Sequence, residues 1–135
     1  MIIEQLEGTE IKEIKALEII CITGKPRSEG NESDLISVLG EEQLCLPPYQ
    51  CVDSELIEIC NLWNTLPYGE QARCHIPGYA LRIRVKDEIQ LVATICWECN
   101  NIHLSGSKCV ERCREFDGSS EIAQRMLKLC QSKFT

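Results

Sequence analysis

The chain has 135 residues, 44% of them hydrophobic and 26% charged, and a net charge of −7. A length of this order suits one domain, here residues 1–135, in which folding buries roughly two thirds of the unfolded surface, enough for a core without covalent staples. The acidic total disfavours nucleic acid as a partner, since phosphate binding is dominated by Lys and Arg.

The N-terminus, Met1 to Gly8, carries two glutamates where a secretory signal needs positive charge followed by an apolar run. The longest apolar stretch, Ile19 to Ile22, is far short of the roughly 18 residues that suggest a membrane span. Both features point to a cytoplasmic protein without membrane contact, in which the ten cysteines are expected to stay reduced. Charge is unevenly spread. Residues 1–72 hold fourteen acids against four bases, giving −10, and residues 73–135 hold ten bases against seven acids, giving +3. An acidic half of this kind attracts a basic partner and speeds encounter.

In chain order, Ala16 to Thr23 is a short β-branched run closed by Gly24-Lys25-Pro26, the profile of a buried strand. After a polar loop, Asn31, Ser33 or Asp34 is placed to cap a short helix using Leu35, Ile36, Val38 and Leu39, with Gly40 at its stop. Pro47-Pro48 then forces extended chain. Asp53 or Ser54 caps a second helix, whose Leu56, Ile59, Cys60, Trp63 and Leu66 make one apolar face before Pro67 ends it.

The clearest pattern follows. In Leu81 to Lys86 apolar and cationic side chains alternate, so one face enters a core while Arg82, Arg84 and Lys86 meet water or a partner. Asp87-Glu88 supplies a reversal and Ile89, Leu91, Ala93 and Ile95 continue the alternation, predicting an antiparallel hairpin from Tyr79 to Cys96, with Ile102 to Leu104 as a further strand. Ser119 or Ser120 caps a last helix lined by Ile122, Met126, Leu129 and Cys130. The sum is an α+β fold, an antiparallel sheet of three to four strands packed with about three helices.

The strongest chemical signal is Cys96-Trp97-Glu98-Cys99 followed by Cys109 and Cys113. Two close thiol pairs can surround one zinc ion, because Zn²⁺ accepts a tetrahedral thiolate set, with His103 or the Cys74-His75 pair as substitutes. The nine-residue gap is short for a zinc ribbon, and the competing reading is that these are buried thiols acting as small apolar side chains. The same Cys-x-x-Cys lacks the following helix that a thioredoxin-like pair needs. Cys21, Cys60 and Cys130 fall on apolar faces and read as core. Cys45 and Cys51 flank Pro47-Pro48-Tyr49 and could meet there. Catalytic templates fail: Gly24-Lys25 lacks the rest of a phosphate loop, no nucleophile elbow or His-Glu-x-x-His is present, and nothing orients a His75–His103 pair or a Cys96–His103 pair for acid–base or nucleophilic work.

Around the hairpin, the run from Cys74 to Leu81, the strand pair, and the run from Ile95 to Asn100 resemble a group of small, uncharacterised bacterial proteins with a Cys-x-x-Pro and a Cys-aromatic-x-Cys in this order. The resemblance spans about residues 56–130 and implies an α+β fold with a shared place for Cys74, Cys96 and Cys99. Pairing of the two strands brings Cys96 close to the start of the first, a few residues after Cys74. Those three are therefore the leading site residues, with Cys109, Cys113 or His103 completing a metal set.

In class the chain is similar to bacterial immunity proteins. The function expected from that similarity is non-enzymatic: neutralisation of a basic toxin domain through an acidic surface. The alternative is a zinc or thiol protein built on the cysteine cluster.

Overall fold

The computed structural model describes residue 14 and residues 16–24, 34–85, 88–107 and 111–134. Ten elements follow in order: β1 (Ala16–Gly24), β2 (Asp34–Val38), β3 (Glu41–Cys45), β4 (Tyr49–Gln50), α1 (Asp53–Asn64), β5 (Tyr79–Val85), β6 (Glu88–Cys96), β7 (Asn101–Ser105), β8 (Arg112–Glu115) and α2 (Glu121–Ser132). The strands form one curled antiparallel sheet in the order β2-β3-β1-β5-β6-β7-β8, with β4 following β3 along the same edge of β1.

This corrects the expected architecture. Among the described residues there are eight strands and two helices, rather than three to four strands and about three helices. The segment read as a short helix is β2: Ile36 and Val38 are buried while Leu35 and Ser37 are exposed, a period of two that pairing with β3 imposes. Gly40 does not stop a helix. With Leu39 at φ 51° and Gly40 at φ 84°, it makes the left-handed turn that joins two antiparallel strands. β3 and β8 had no expectation attached, because their burial is one-sided and their charges mask the alternation.

The hairpin from Tyr79 to Cys96 is present, in register Tyr79↔Ile95 through Val85↔Glu88 with an irregularity after Ile83, and β7 contains the expected third strand. β1 joins it on the other side, Leu17↔Ile83 and Ile19↔Leu81. Alternation then sorts each strand onto two faces. Leu17, Ile19, Leu81, Ile83, Leu91, Ala93, Ile95, Ile102 and Leu104 all point to the side covered by α1 and α2, where they form the main core with Leu56, Ile59, Cys60, Trp63, Phe116, Ala123, Met126 and Cys130. Each such fully buried Leu or Ile contributes on the order of 1.5–3 kcal/mol of transfer free energy.

Both helices start on sequence signals. Ser120 Oγ accepts the Ala123 N–H at 3.2 Å and caps α2 as expected. For α1 the cap residue is Val52, not Asp53 or Ser54; the Glu55 carboxylate accepts the Val52 N–H at 2.9 Å, receives the Tyr49 hydroxyl, and pairs with Lys133 beyond the end of α2. The Lys133 hydrogen bond, then that from Val52, hold the Glu55 carboxyl below the usual glutamate range.

Opposite the helices lies a smaller core of Ile20, Ile22, Ile36, Val38, Cys45 and Ala80. Here the expectation that Arg82 and Arg84 meet water or a partner gives way: both close on Glu18, Arg82 Nε at 2.9 Å and Arg84 Nε at 2.8 Å. Burial raises the Glu18 pKa, but the two guanidiniums outweigh it and hold the carboxyl below its ordinary value. Lys86 lies outside the described residues.

Candidate functional site

At the turn between β6 and β7, three of the six sequence-predicted site residues, Cys74, Cys96 and Cys99, come together. Cys96 closes β6, Asn100 takes the left-handed conformation (φ 54°) that Asn tolerates, and Asn101 opens β7. Cys96 Sγ accepts the Cys99 N–H at 3.3 Å, folding the turn over the first sulfur. Asn100 Oδ1 accepts the Gly118 N–H at 2.9 Å, and its Nδ2 donates to the Glu70 carbonyl at 3.1 Å. Gly118 is required there, since a Cβ would collide with the Trp97 carbonyl. Trp97 fastens the turn to α2 by donating Nε1–H to the Ala123 carbonyl at 2.8 Å, and packs edge-on against Tyr79 and Phe116.

Cys74 and Cys99 form a disulfide, with Cα atoms 6.1 Å apart and a sequence separation of 25. The expectation of uniformly reduced cysteines is therefore corrected at this pair. The seven other described cysteines are unbonded, including Cys45 and Cys51. Burial pushes the thiols of Cys51 and Cys130 up to about 12 and that of Cys60 to about 11, so they stay protonated at neutral pH and serve as core.

The six residues proposed as metal ligands do not converge as a set. Cys74, Cys96 and Cys99 share the turn, two of them bonded to each other. His103 and Cys113 face each other across β7 and β8, further along the sheet, with His103 Nε2 3.1 Å from Glu111. Cys109 lies outside the described residues. Among the described residues no three His, Cys, Asp or Glu side chains are grouped to hold an ion.

The structure adds a constellation that sequence reasoning missed. His75, beside the disulfide, places Nδ1 2.6 Å from Asn101 Oδ1 and Nε2 2.8 Å from Thr94 Oγ1. Asn101 spends its amide hydrogens on the Cys74 carbonyl at 2.7 Å and the Ala72 carbonyl at 3.4 Å. Its oxygen must then accept, so Nδ1 carries the proton of a neutral ring and Nε2 takes the Thr94 hydroxyl. Burial, which outweighs the Asn101 hydrogen bond, lowers the His75 pKa; nearby His103, ring centroids 6.2 Å apart, lowers it further. Strand register was the available signal: pairing Cys96 with Asn101 and Thr94 with His103 puts all four on the face away from the helices.

His75 and Ile76 form one wall of a groove of about 550 Å³, whose other wall is the β2–β3 hairpin: Val38, Leu39, Glu41 and Gln43. Ile76 is 77% exposed and Leu39 52%, two large apolar side chains left on the surface in the lining of this groove. Glu42 and Asp34 are exposed on the same hairpin. At the far end of the sheet a 270 Å³ pocket is lined by Tyr68, Arg112, Cys113, Arg114 and Glu115.

Comparison of the chain with protein-family models, with curated proteins and with solved structures finds no match. No helix among the described residues is long and apolar enough to cross a membrane.

Proposed function

We propose that this chain is a non-enzymatic binding protein of the toxin-neutralising, immunity type, and that it takes its partner in the groove between the β2–β3 hairpin and His75–Ile76. The observation that supports this reading is the pair of exposed apolar side chains, Leu39 and Ile76, lining one groove, with Asp34 and Glu42 exposed on the hairpin that forms part of it. Apolar anchors inside a charged rim are how compact proteins hold protein partners. The acidic rim favours a basic partner, such as the catalytic domain of a nuclease toxin, and would speed its capture.

The test uses the purified product of the neighbouring reading frame of the source bacterium, titrated calorimetrically with the full chain. Binding is expected, weakened tenfold or more, roughly 1.4 kcal/mol, by Leu39→Asp and by raised salt. A product that is not basic, or that fails to bind, overturns the reading. The second class, a zinc-holding cysteine cluster, is addressed by the zinc content of protein purified without chelator. One ion per chain, lost together with a drop in melting temperature on chelation, would favour that class instead.

A further inference from the structure

Residues 65–78 run from α1 to β5 without helix or strand. Besides the buried Leu66 and Pro77 near its ends, two kinds of tie hold this segment to the rest. The first is polar: the Pro67 carbonyl accepts the Asp117 N–H, the Ala72 N–H donates to the Cys99 carbonyl, and Asn101 binds the Cys74 and Ala72 carbonyls. The second is the Cys74–Cys99 bond, placed immediately before the two residues that wall the groove. Its two sulfurs are not equivalent, because Cys74 is exposed while Cys99 is buried. An incoming thiol can therefore reach one end only.

We propose that Cys74–Cys99 is a redox site that accepts two electrons from a dithiol reductant, and that its state sets the position of the His75–Ile76 wall. A thiolate of the reductant attacks Cys74 Sγ, and as the new S–S bond forms the old one breaks. The electron pair passes to Cys99, which takes a proton from solvent. The second thiolate of the reductant then attacks its own sulfur in the mixed disulfide and expels Cys74, which is protonated in turn. The chain gains two electrons and two protons, and the reductant leaves as a disulfide. Afterwards the segment keeps its hydrogen bonds and the buried Leu66 and Pro77 near its two ends, and any shift at Cys74 between them passes directly to His75 and Ile76.

That such a shift alters partner binding rests on the groove reading above; the redox chemistry and the loosening do not. Other described cysteines are poor substitutes for this site. Cys51, Cys60 and Cys130 are buried, and Cys96 is buried with its sulfur engaged by the Cys99 N–H.

The test is made on the full chain, quenched with an alkylating reagent at lysis and digested without reduction. A linked peptide pair containing Cys74 and Cys99 is expected, lost when folded protein is treated with dithiothreitol. Hydrogen exchange over residues 70–78 should then rise roughly tenfold or more, while β5, β6 and β7 keep their protection. Cys74→Ser should show the same rise without reductant, and Cys113→Ser, which alters an exposed thiol outside the pair, should not. Reduced wild-type protein carries the test if Cys74→Ser does not fold. Ten thiols alkylated at lysis, a bond that resists dithiothreitol until the chain unfolds, or unchanged exchange after reduction would each overturn the proposal. Since exchange is read without a partner, it can fail while toxin binding stands, and the reverse.

Discussion

On the helix-covered face, β1, β5, β6 and β7 present Leu17, Ile19, Leu81, Ile83, Leu91, Ala93, Ile95, Ile102 and Leu104, an unbroken apolar surface sealed by α1 and α2. On the opposite face the same strands present Glu18, Arg82, Thr94, Asn101 and His103 beside a core of only six buried residues. The three buried polar residues among those described, Thr94, Asn101 and His103, all lie on this second face. Burying a polar group is costly unless every hydrogen bond is made. A sheet that needed only stability would have used aliphatic residues there. The binding site proposed above lies on the hairpin side, where polar groups are held by hydrogen bonds next to the groove.

The comparison is broken most directly by large substitutions on each side. Trp63→Ala in α1 should cost about 3–5 kcal/mol in urea unfolding, because Trp63 fills the sealed core. An equal loss from Leu39→Ala would mean that the groove is structural. Next in size is Asn101→Leu, expected to cost roughly 1–3 kcal/mol, since it strands the Cys74 carbonyl and the Nδ1 side of the His75 ring without partners. If unfolding by urea shows no loss, the His75–Asn101 network is not holding the loop.

A smaller effect concerns pH. Because the folded-state pKa of His75 is depressed, the unfolded chain binds the proton more readily just below pH 6.5. The stabilising contribution of the neutral ring is complete above that pH and is lost as pH falls towards the folded-state value. Melting temperature should therefore decline from pH 7 towards pH 5, and His75→Gln should flatten the decline; parallel profiles for the two proteins would refute the assignment. Smallest is Leu39→Ala itself, expected within about 0.5 kcal/mol of wild type by the same urea measurement.

Several parts of this molecule could be read from residues alone. The β5–β6 hairpin and the two long helices carry a period of two or near 3.6, β1 is a β-branched run, the three residues from Ile102 to Leu104 suggest β7, and Ser119 or Ser120 is placed to start α2, where Ser120 is the cap. Strand pairing also suggested that Cys74, Cys96 and Cys99 lie near one end of the sheet. β2 was not legible, because Leu35-Ile36-Ser37-Val38-Leu39-Gly40 suits a capped helical turn as well as a strand, and only its partner β3 decides which side chains are buried.

Contacts between distant positions were settled by the tertiary structure. Glu18 meets Arg82 and Arg84 across more than sixty residues, His75 meets Asn101 and Thr94, and Leu39 and Ile76 line one groove. The division has a physical cause. Periodicity and capping are properties of neighbours along the chain, whereas a buried ion pair, a disulfide or a groove depends on register and sheet curvature, which exist only once all strands are packed together.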